Sequence, residues 1–124
     1  MVEGKIILLV DDDTTLREMY NERLKIEGFE IVQATDGAEA LQKMSEIKPD
    51  IILLDVMMPK FNGFEVLQQL KENPESKDIP VIILTVLTQD KDRLQGIQLG
   101  VTDYIVKSET MPGDVIAKIK AILG

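Results

Sequence analysis

Three stretches of this chain are apolar without interruption: Ile6-Ile7-Leu8-Leu9-Val10, Ile51-Ile52-Leu53-Leu54 and Val81-Ile82-Ile83-Leu84. A strand with one wet face alternates polar and apolar residues, so unbroken runs of this length belong to strands covered on both faces. Between them lie segments whose apolar residues recur at helical spacing, which makes the chain a series of βα units rather than a helix bundle or an all-β fold. The pattern puts strands at residues 5–10, 30–34, 51–54, 81–85 and 102–106. The second and fifth carry Glu30, Gln33, Thr102 and Asp103, as edge strands do. Strand order 2-1-3-4-5 produces that distribution. The expected fold is therefore α/β: a (βα)5 doubly wound parallel five-stranded sheet of flavodoxin-like type, whose winding reverses between the first and third strands.

The first helix is expected over residues 15–27, with Leu16, Met19, Tyr20 and Leu24 inward, a capping box of Thr15 and Glu18 at its start, and Gly28 as its C-cap. Asp36 with Glu39 opens a second, which carries Leu41, Met44 and Ile47 until Pro49 stops it. Asn62 with Glu65 opens a third, which carries Phe64, Leu67 and Leu70 and ends before Pro74. A fourth, over residues 90–99, is the weakest: only Leu94, Ile97 and Leu99 are apolar, and Gly96 costs roughly 1 kcal/mol relative to alanine. It is the element expected to move most readily. The last helix follows Pro112 and has one apolar stripe of Val115, Ile116, Ile119, Ile122 and Leu123.

A length of 124 residues suits one domain with a real core, here without any cysteine to staple it. No apolar run approaches a membrane span, and the first residues lack the basic start and apolar stretch of a signal peptide. The expected setting is the cytoplasm, with no membrane partner. A formal charge of −8 argues against direct nucleic-acid binding, which needs lysine and arginine on the binding face. Histidine is absent, so any chemistry falls to carboxylates, hydroxyls, lysine or tyrosine.

The strand ends supply those groups. Val10 leads into Asp11, Asp12 and Asp13, Leu54 into Asp55, Leu84 into Thr85, and Val106 into Lys107. In one parallel sheet all of them meet at the carboxyl edge, where open α/β sheets bind ligands. Aspartates in a row after a strand serve as helix caps in many folds, but only one of three can be that cap. With Asp55 arriving beside them, they form the oxygen cluster that a hard divalent ion such as Mg²⁺ requires. A carboxylate beside a bound cation can act as nucleophile and carry a phosphoryl group as a mixed anhydride. Lys107 alone is a surface lysine, and Thr85 alone a hydroxyl at a strand end. Together they provide donors for the equatorial oxygens of a transferring phosphoryl group.

Over nearly its whole length the chain resembles the receiver domains of two-component response regulators. The resemblance rests on Leu9-Val10-Asp11-Asp12-Asp13, the stretch from Asp50 through Asp55 to Met57-Met58-Pro59, Asn62-Gly63, Thr85, and the stretch from Gly100 through Tyr104 to Lys107. It implies one receiver domain over residues 1–124, with no output domain in this chain, and no enzyme beyond the chemistry of its own Asp55. It implies that Asp55 takes a phosphoryl group from a sensor histidine kinase or a histidine phosphotransfer protein. Asp11 and Asp12 would hold Mg²⁺ with Asp55 and the backbone carbonyl of Met57, Asp12 directly and Asp11 through water. Thr85 and Lys107 would bind the phosphoryl oxygens, and Tyr104 would be the aromatic switch. A downstream effector would dock on the face of the fourth helix, fifth strand and fifth helix. The same features would suit a receiver excised from a longer regulator or hybrid kinase.

Two residues depart from the family pattern. Ser108 follows Lys107 where the family carries proline, which puts the family's cis peptide there in question, since a cis bond costs about 3 kcal/mol without proline. Val86 stands where the family prefers a small residue, and its branched side chain is expected to narrow access to Asp55. Two other readings compete. Asp11, Asp13 and Thr15 satisfy the Asp-x-Asp-x-Thr pattern of haloacid dehalogenase-like phosphatases, with Asp11 as nucleophile and Asp13 as acid/base, but Asp55 is then unexplained. A flavodoxin-like flavin binder shares the sheet, but three aspartates after the first strand would repel the cofactor's phosphate.

Overall fold

The alternation of apolar runs and helical segments resolves, in a computed structural model that describes residues 4–57 and 62–124, into one parallel sheet with helices on both faces. The strands are β1 (Ile6–Val10), β2 (Glu30–Ala34), β3 (Ile51–Leu54), β4 (Val81–Thr85) and β5 (Asp103–Val106). The helices are α1 (Thr14–Ile26), α2 (Gly37–Glu46), α3 (Gly63–Glu72), α4 (Asp90–Gln98) and α5 (Pro112–Leu123), and a single 3-10 turn, Lys107–Glu109, follows β5. The strand order is β2-β1-β3-β4-β5, as the placing of polar residues in the second and fifth strands had indicated.

Successive strand residues feed opposite faces, so each apolar run builds two cores at once. Leu8, Val10, Ile52, Leu54 and Ile83 pack with Ala40 of α2 and with Phe64, Leu67 and Leu70 of α3. Ile7, Leu9, Leu53, Ile82 and Leu84 pack with Tyr20 and Leu24 of α1 and with Val115, Ile116 and Ile119 of α5. The central strands β1, β3 and β4 are buried almost throughout, which is the physical reason for their unbroken apolar composition.

The structure corrects several local expectations. No capping box forms between Thr15 and Glu18. Asp13, whose backbone is extended, caps α1 by accepting the Leu16 N–H at 3.1 Å, and the helix begins one residue earlier than expected. Glu27 is its C-cap, and Gly28 follows with φ of 103°, a conformation that glycine adopts without a Cβ clash. Asn62 caps α3 through the Phe64 N–H at 2.8 Å. Asp36 caps α2 as anticipated, accepting the Glu39 N–H, while Glu39 reaches back to the Thr35 N–H. Helix α4 ends at Gln98 rather than Leu99, α5 takes in Pro112 itself, and β1 and β5 begin one residue later than expected. Among the described residues no peptide bond is cis, that between Lys107 and Ser108 included. Met58 and Pro59, which complete the stretch after Asp55, lie outside the described residues.

Candidate functional site

Val10 and Leu54 are register partners in the neighbouring strands β1 and β3, so the residues that follow them leave the sheet side by side. Main-chain pairing continues one step past each strand. The Asp55 N–H donates to the Val10 carbonyl at 2.9 Å, and the Asp11 N–H donates to that of Ala34 at 3.1 Å. This fixes both backbones, and both residues are buried, at 3% exposure for Asp11 and 4% for Asp55. Asp12 is exposed beside them, and carboxylate oxygens of Asp11, Asp12 and Asp55 lie within 4.8 Å of one another.

Lys107, at the end of β5, reaches across β4 to this pair. Its Nζ donates to Oδ2 of Asp11 and to Oδ2 of Asp55, each at 2.9 Å. The other oxygens accept main-chain donors, Asp11 Oδ1 from the Asp13 N–H and Asp55 Oδ1 from the Met57 N–H, both at 2.9 Å. Burial alone would lower the pKa of Lys107, but its bonds to Asp55 and Asp11 outweigh that and raise it. For Asp11 burial prevails: it raises the pKa against the opposing pull of the Asp13 N–H and Lys107.

A carboxyl group whose pKa is raised on folding binds its proton more tightly in the folded state. Its ionisation therefore destabilises the fold progressively as pH rises from the unfolded pKa through the folded one. In metal-free buffer, Asp11→Asn is expected to melt higher than the parent at neutral pH and to lose that advantage in acid, because Asp55 still partners Lys107. Thermal melts across that range in chelator check this. A variant less stable than the parent at neutral pH would contradict it.

Thr85 closes β4 with its side chain fully buried. Its Oγ1 accepts the Leu87 N–H at 3.3 Å, and the Tyr104 hydroxyl donates to the Leu87 carbonyl at 3.1 Å. One residue of the loop after β4 thus connects Thr85 to Tyr104. Although β5 is an edge strand, Tyr104 is only 5% exposed, its ring turned under α4 and that loop. Val86, beside Thr85, is half exposed.

Arg17 escaped sequence reasoning, and Gly63 was legible only as half of the Asn62-Gly63 pair, without its contact. Arg17 of α1 donates from a guanidinium nitrogen to the Asp11 carbonyl at 2.8 Å and from Nε to Gln33 Oε1 at 2.9 Å, tying the acidic turn to β2. A basic residue near a helix N-terminus opposes the helix dipole, and that mismatch was its one available signal. Gly63, the first residue of α3, packs directly on the backbone of Asp55 and Val56. A Cβ there would lie 2.4 Å from the Val56 Cα and 2.7 Å from the Asp55 carbonyl oxygen. Gly63→Ala must push main chain aside, and is expected to cost about 1–3 kcal/mol, the range for overpacking a close-fitted site. Urea unfolding measures it. A variant that unfolds with the parent would mean that this backbone yields freely.

Asp11 and Asp55 each accept one hydrogen bond per oxygen and keep lone pairs, and Asp12 adds an exposed carboxylate. These are hard donors within reach of one ion, so the residues fit a divalent metal such as Mg²⁺. The acidic pocket thus lies at the carboxyl edge where the winding of the sheet reverses, the place at which open α/β sheets bind ligands. Residues 7–120 match the response regulator receiver domain family, and the chain belongs to it.

Among curated relatives, it is similar to the alkaline phosphatase synthesis transcriptional regulatory protein PhoP of Bacillus subtilis, 40% identical over 97% of this chain and 49% of PhoP. The chain spans about half the length of the curated relatives it matches. Among solved structures, the CheY-like receiver domain protein of Methanospirillum hungatei superposes with a TM-score of 0.90 at 28% identity, covering 98% of this chain and 94% of that one. The Mn²⁺-bound form of response regulator Rcp1 does so with a TM-score of 0.83 at 32% identity, covering 96% and 91%.

Proposed function

We propose that this chain accepts a phosphoryl group on Asp55 from a phosphohistidine of a sensor histidine kinase or histidine phosphotransfer protein, and that the modified state alters the face of α4, β5 and α5 for a downstream effector. The observation that carries the reading is the buried Asp55 carboxylate, held by Lys107 together with Asp11 at the carboxyl edge of the sheet. An Asp55 oxygen attacks phosphorus, the P–N bond of the donor breaks, and its electron pair returns to the imidazole ring. Lys107 can follow the phosphoryl oxygens without leaving Asp11. Thr85 accepts the Leu87 N–H through a lone pair, so its proton remains to be given to a phosphoryl oxygen. Asp11, Asp12, Asp55 and the Met57 carbonyl would hold Mg²⁺, which supplies charge neutralisation for the transfer.

The protein acts on its own aspartate and turns over no separate substrate. Residues 1–124 are read as one receiver domain, working in the cytoplasm where its phosphodonor is found. PhoP is described as a transcriptional regulatory protein, but the charge of −8 disfavours direct contact between this stretch and nucleic acid. The phosphatase alternative is weakened by Asp13, its acid/base, which is engaged in capping α1. Phosphotransfer from a labelled phosphohistidine donor, followed by mapping of the acyl phosphate, tests the proposal. Label on Asp55 supports it, and label on Asp11 overturns it.

A further inference from the structure

Helix α4 is weakly attached to the body of the protein. Its N-cap residue Gln89 makes no side-chain cap, and Gly96 is its one buried residue. Among the described residues, the side-chain hydrogen bond from α4 to another element is made by Arg93, whose guanidinium donates to the Tyr104 carbonyl at 3.3 Å. The same guanidinium lies 5.1 Å from the centre of the Tyr104 ring, within the range of a cation–π contact. Gly96, one turn further along α4, meets the ring too. A Cβ built there would stand 3.1 Å from Tyr104 Cδ2 and 3.1 Å from Ile83 Cδ1. The Tyr104 hydroxyl, finally, is bound to the loop residue that also binds Thr85.

We propose that Arg93 and Gly96 form a seat on α4 that holds Tyr104 buried, so that Arg93 is a positioning residue coupling the attachment of α4 to the state of Thr85. This role rests on the phosphoryl-receiver reading above and adds a residue to it. Arg93 supports Tyr104 by two independent contacts, one to the main chain and one to the ring face. Gly96 leaves the space that the ring occupies. Arg93 itself is exposed, between Lys91 and the exposed Leu94 and Ile97, so its hold on Tyr104 is open to groups that arrive at the α4 surface. Whatever displaces Arg93 loosens Tyr104, and by linkage whatever favours buried Tyr104 favours the seated Arg93.

The test uses the Tyr20→Phe protein, in which Tyr104 is the remaining tyrosine of a chain with two and no tryptophan. Acrylamide quenching reads the exposure of Tyr104. Titration with beryllofluoride at fixed Mg²⁺ reads the coupling. Arg93→Ala is expected to raise the quenching constant and to raise the beryllofluoride concentration needed roughly three- to tenfold, the loss of one partly exposed cation–π contact and its hydrogen bond. Arg93→Lys should recover part of both effects, and Lys91→Ala should change neither. Gly96→Ala separates seating from mere helix stability: alanine strengthens α4 by propensity, yet its Cβ intrudes on the ring, so quenching should rise while the helix gains. Parent-like quenching and titration in Arg93→Ala would overturn the proposal. If beryllofluoride fails to bind even the parent, the phosphoryl-receiver reading falls. The quenching results alone then decide whether the seat exists.

Discussion

Asp55→Asn is expected to take up no phosphoryl label from a phosphohistidine donor that labels the parent fully. An amide oxygen is a poor nucleophile and cannot form the mixed anhydride, so the loss is of the reaction itself rather than of affinity. The fold should survive the change. Asparagine keeps the side-chain oxygen that accepts the Met57 N–H, and Lys107 keeps its 2.9 Å bond to Asp11. Acid-quenched gels of the two proteins, with an alkali wash to identify an acyl phosphate, make the measurement. Lys107→Ala is the companion variant: it should remain folded and still accept label, while the signals of Thr85 and Tyr104 respond less to beryllofluoride. Residual alkali-labile label on Asp55→Asn would remove Asp55 as the acceptor.

Mg²⁺ is expected to raise the melting temperature, and Asp12→Asn to cancel most of the gain. Oxygens of three carboxylates lie within 4.8 Å, with the Lys107 ammonium as the cation between two of them. A cation that binds only this folded arrangement adds roughly 2.7 kcal/mol at one hundred times its dissociation constant. For a domain of this length that corresponds to a shift on the order of 10 °C. Asp12 is the informative position because it is exposed, so its replacement removes a donor without opening the core. Melts in Mg²⁺ should be compared with melts in sodium chloride of equal ionic strength, which screens the carboxylates without coordinating them. Equal melting temperatures in the two salts would count decisively against the metal site.

How far the sequence discloses this molecule depends on what each residue bonds to. Unbroken apolar runs disclose β1, β3 and β4 to within a residue, because only a strand buried on both faces tolerates them. Asp11, Asp55, Thr85 and Lys107 are equally legible, as polar groups placed where such runs end. The start of α1 is not. Asp11, Asp12, Asp13 and Thr15 all have capping side chains, and the choice of Asp13 follows from its extended backbone and the position of the Leu16 N–H. The roles of Arg17 and Arg93, and the contact that Gly63 makes, are hidden for a related reason. Arg17 and Arg93 each bond to a main-chain carbonyl and Gly63 packs on main chain, and their side-chain partners, Gln33 and the Tyr104 ring, are not the opposite charges that would mark an arginine's partner in a sequence. Such contacts become visible only when the path of the chain is known.

The packing of Gly63 on the Asp55 carbonyl has a practical outcome for instruments built on this fold. With no side chain interposed, α3 packs on the backbone of Asp55 and Val56 and would be the fixed mount under the proposed switch, whereas α4, which Arg93 bonds to β5, would be the moving arm. The chain has no cysteine, so two introduced thiols would be its only ones. Dyes at the exposed Gln68 of α3 and Gln98 of α4 would span the fixed and moving parts, and the energy transfer between them would report occupancy of Asp55 as a length.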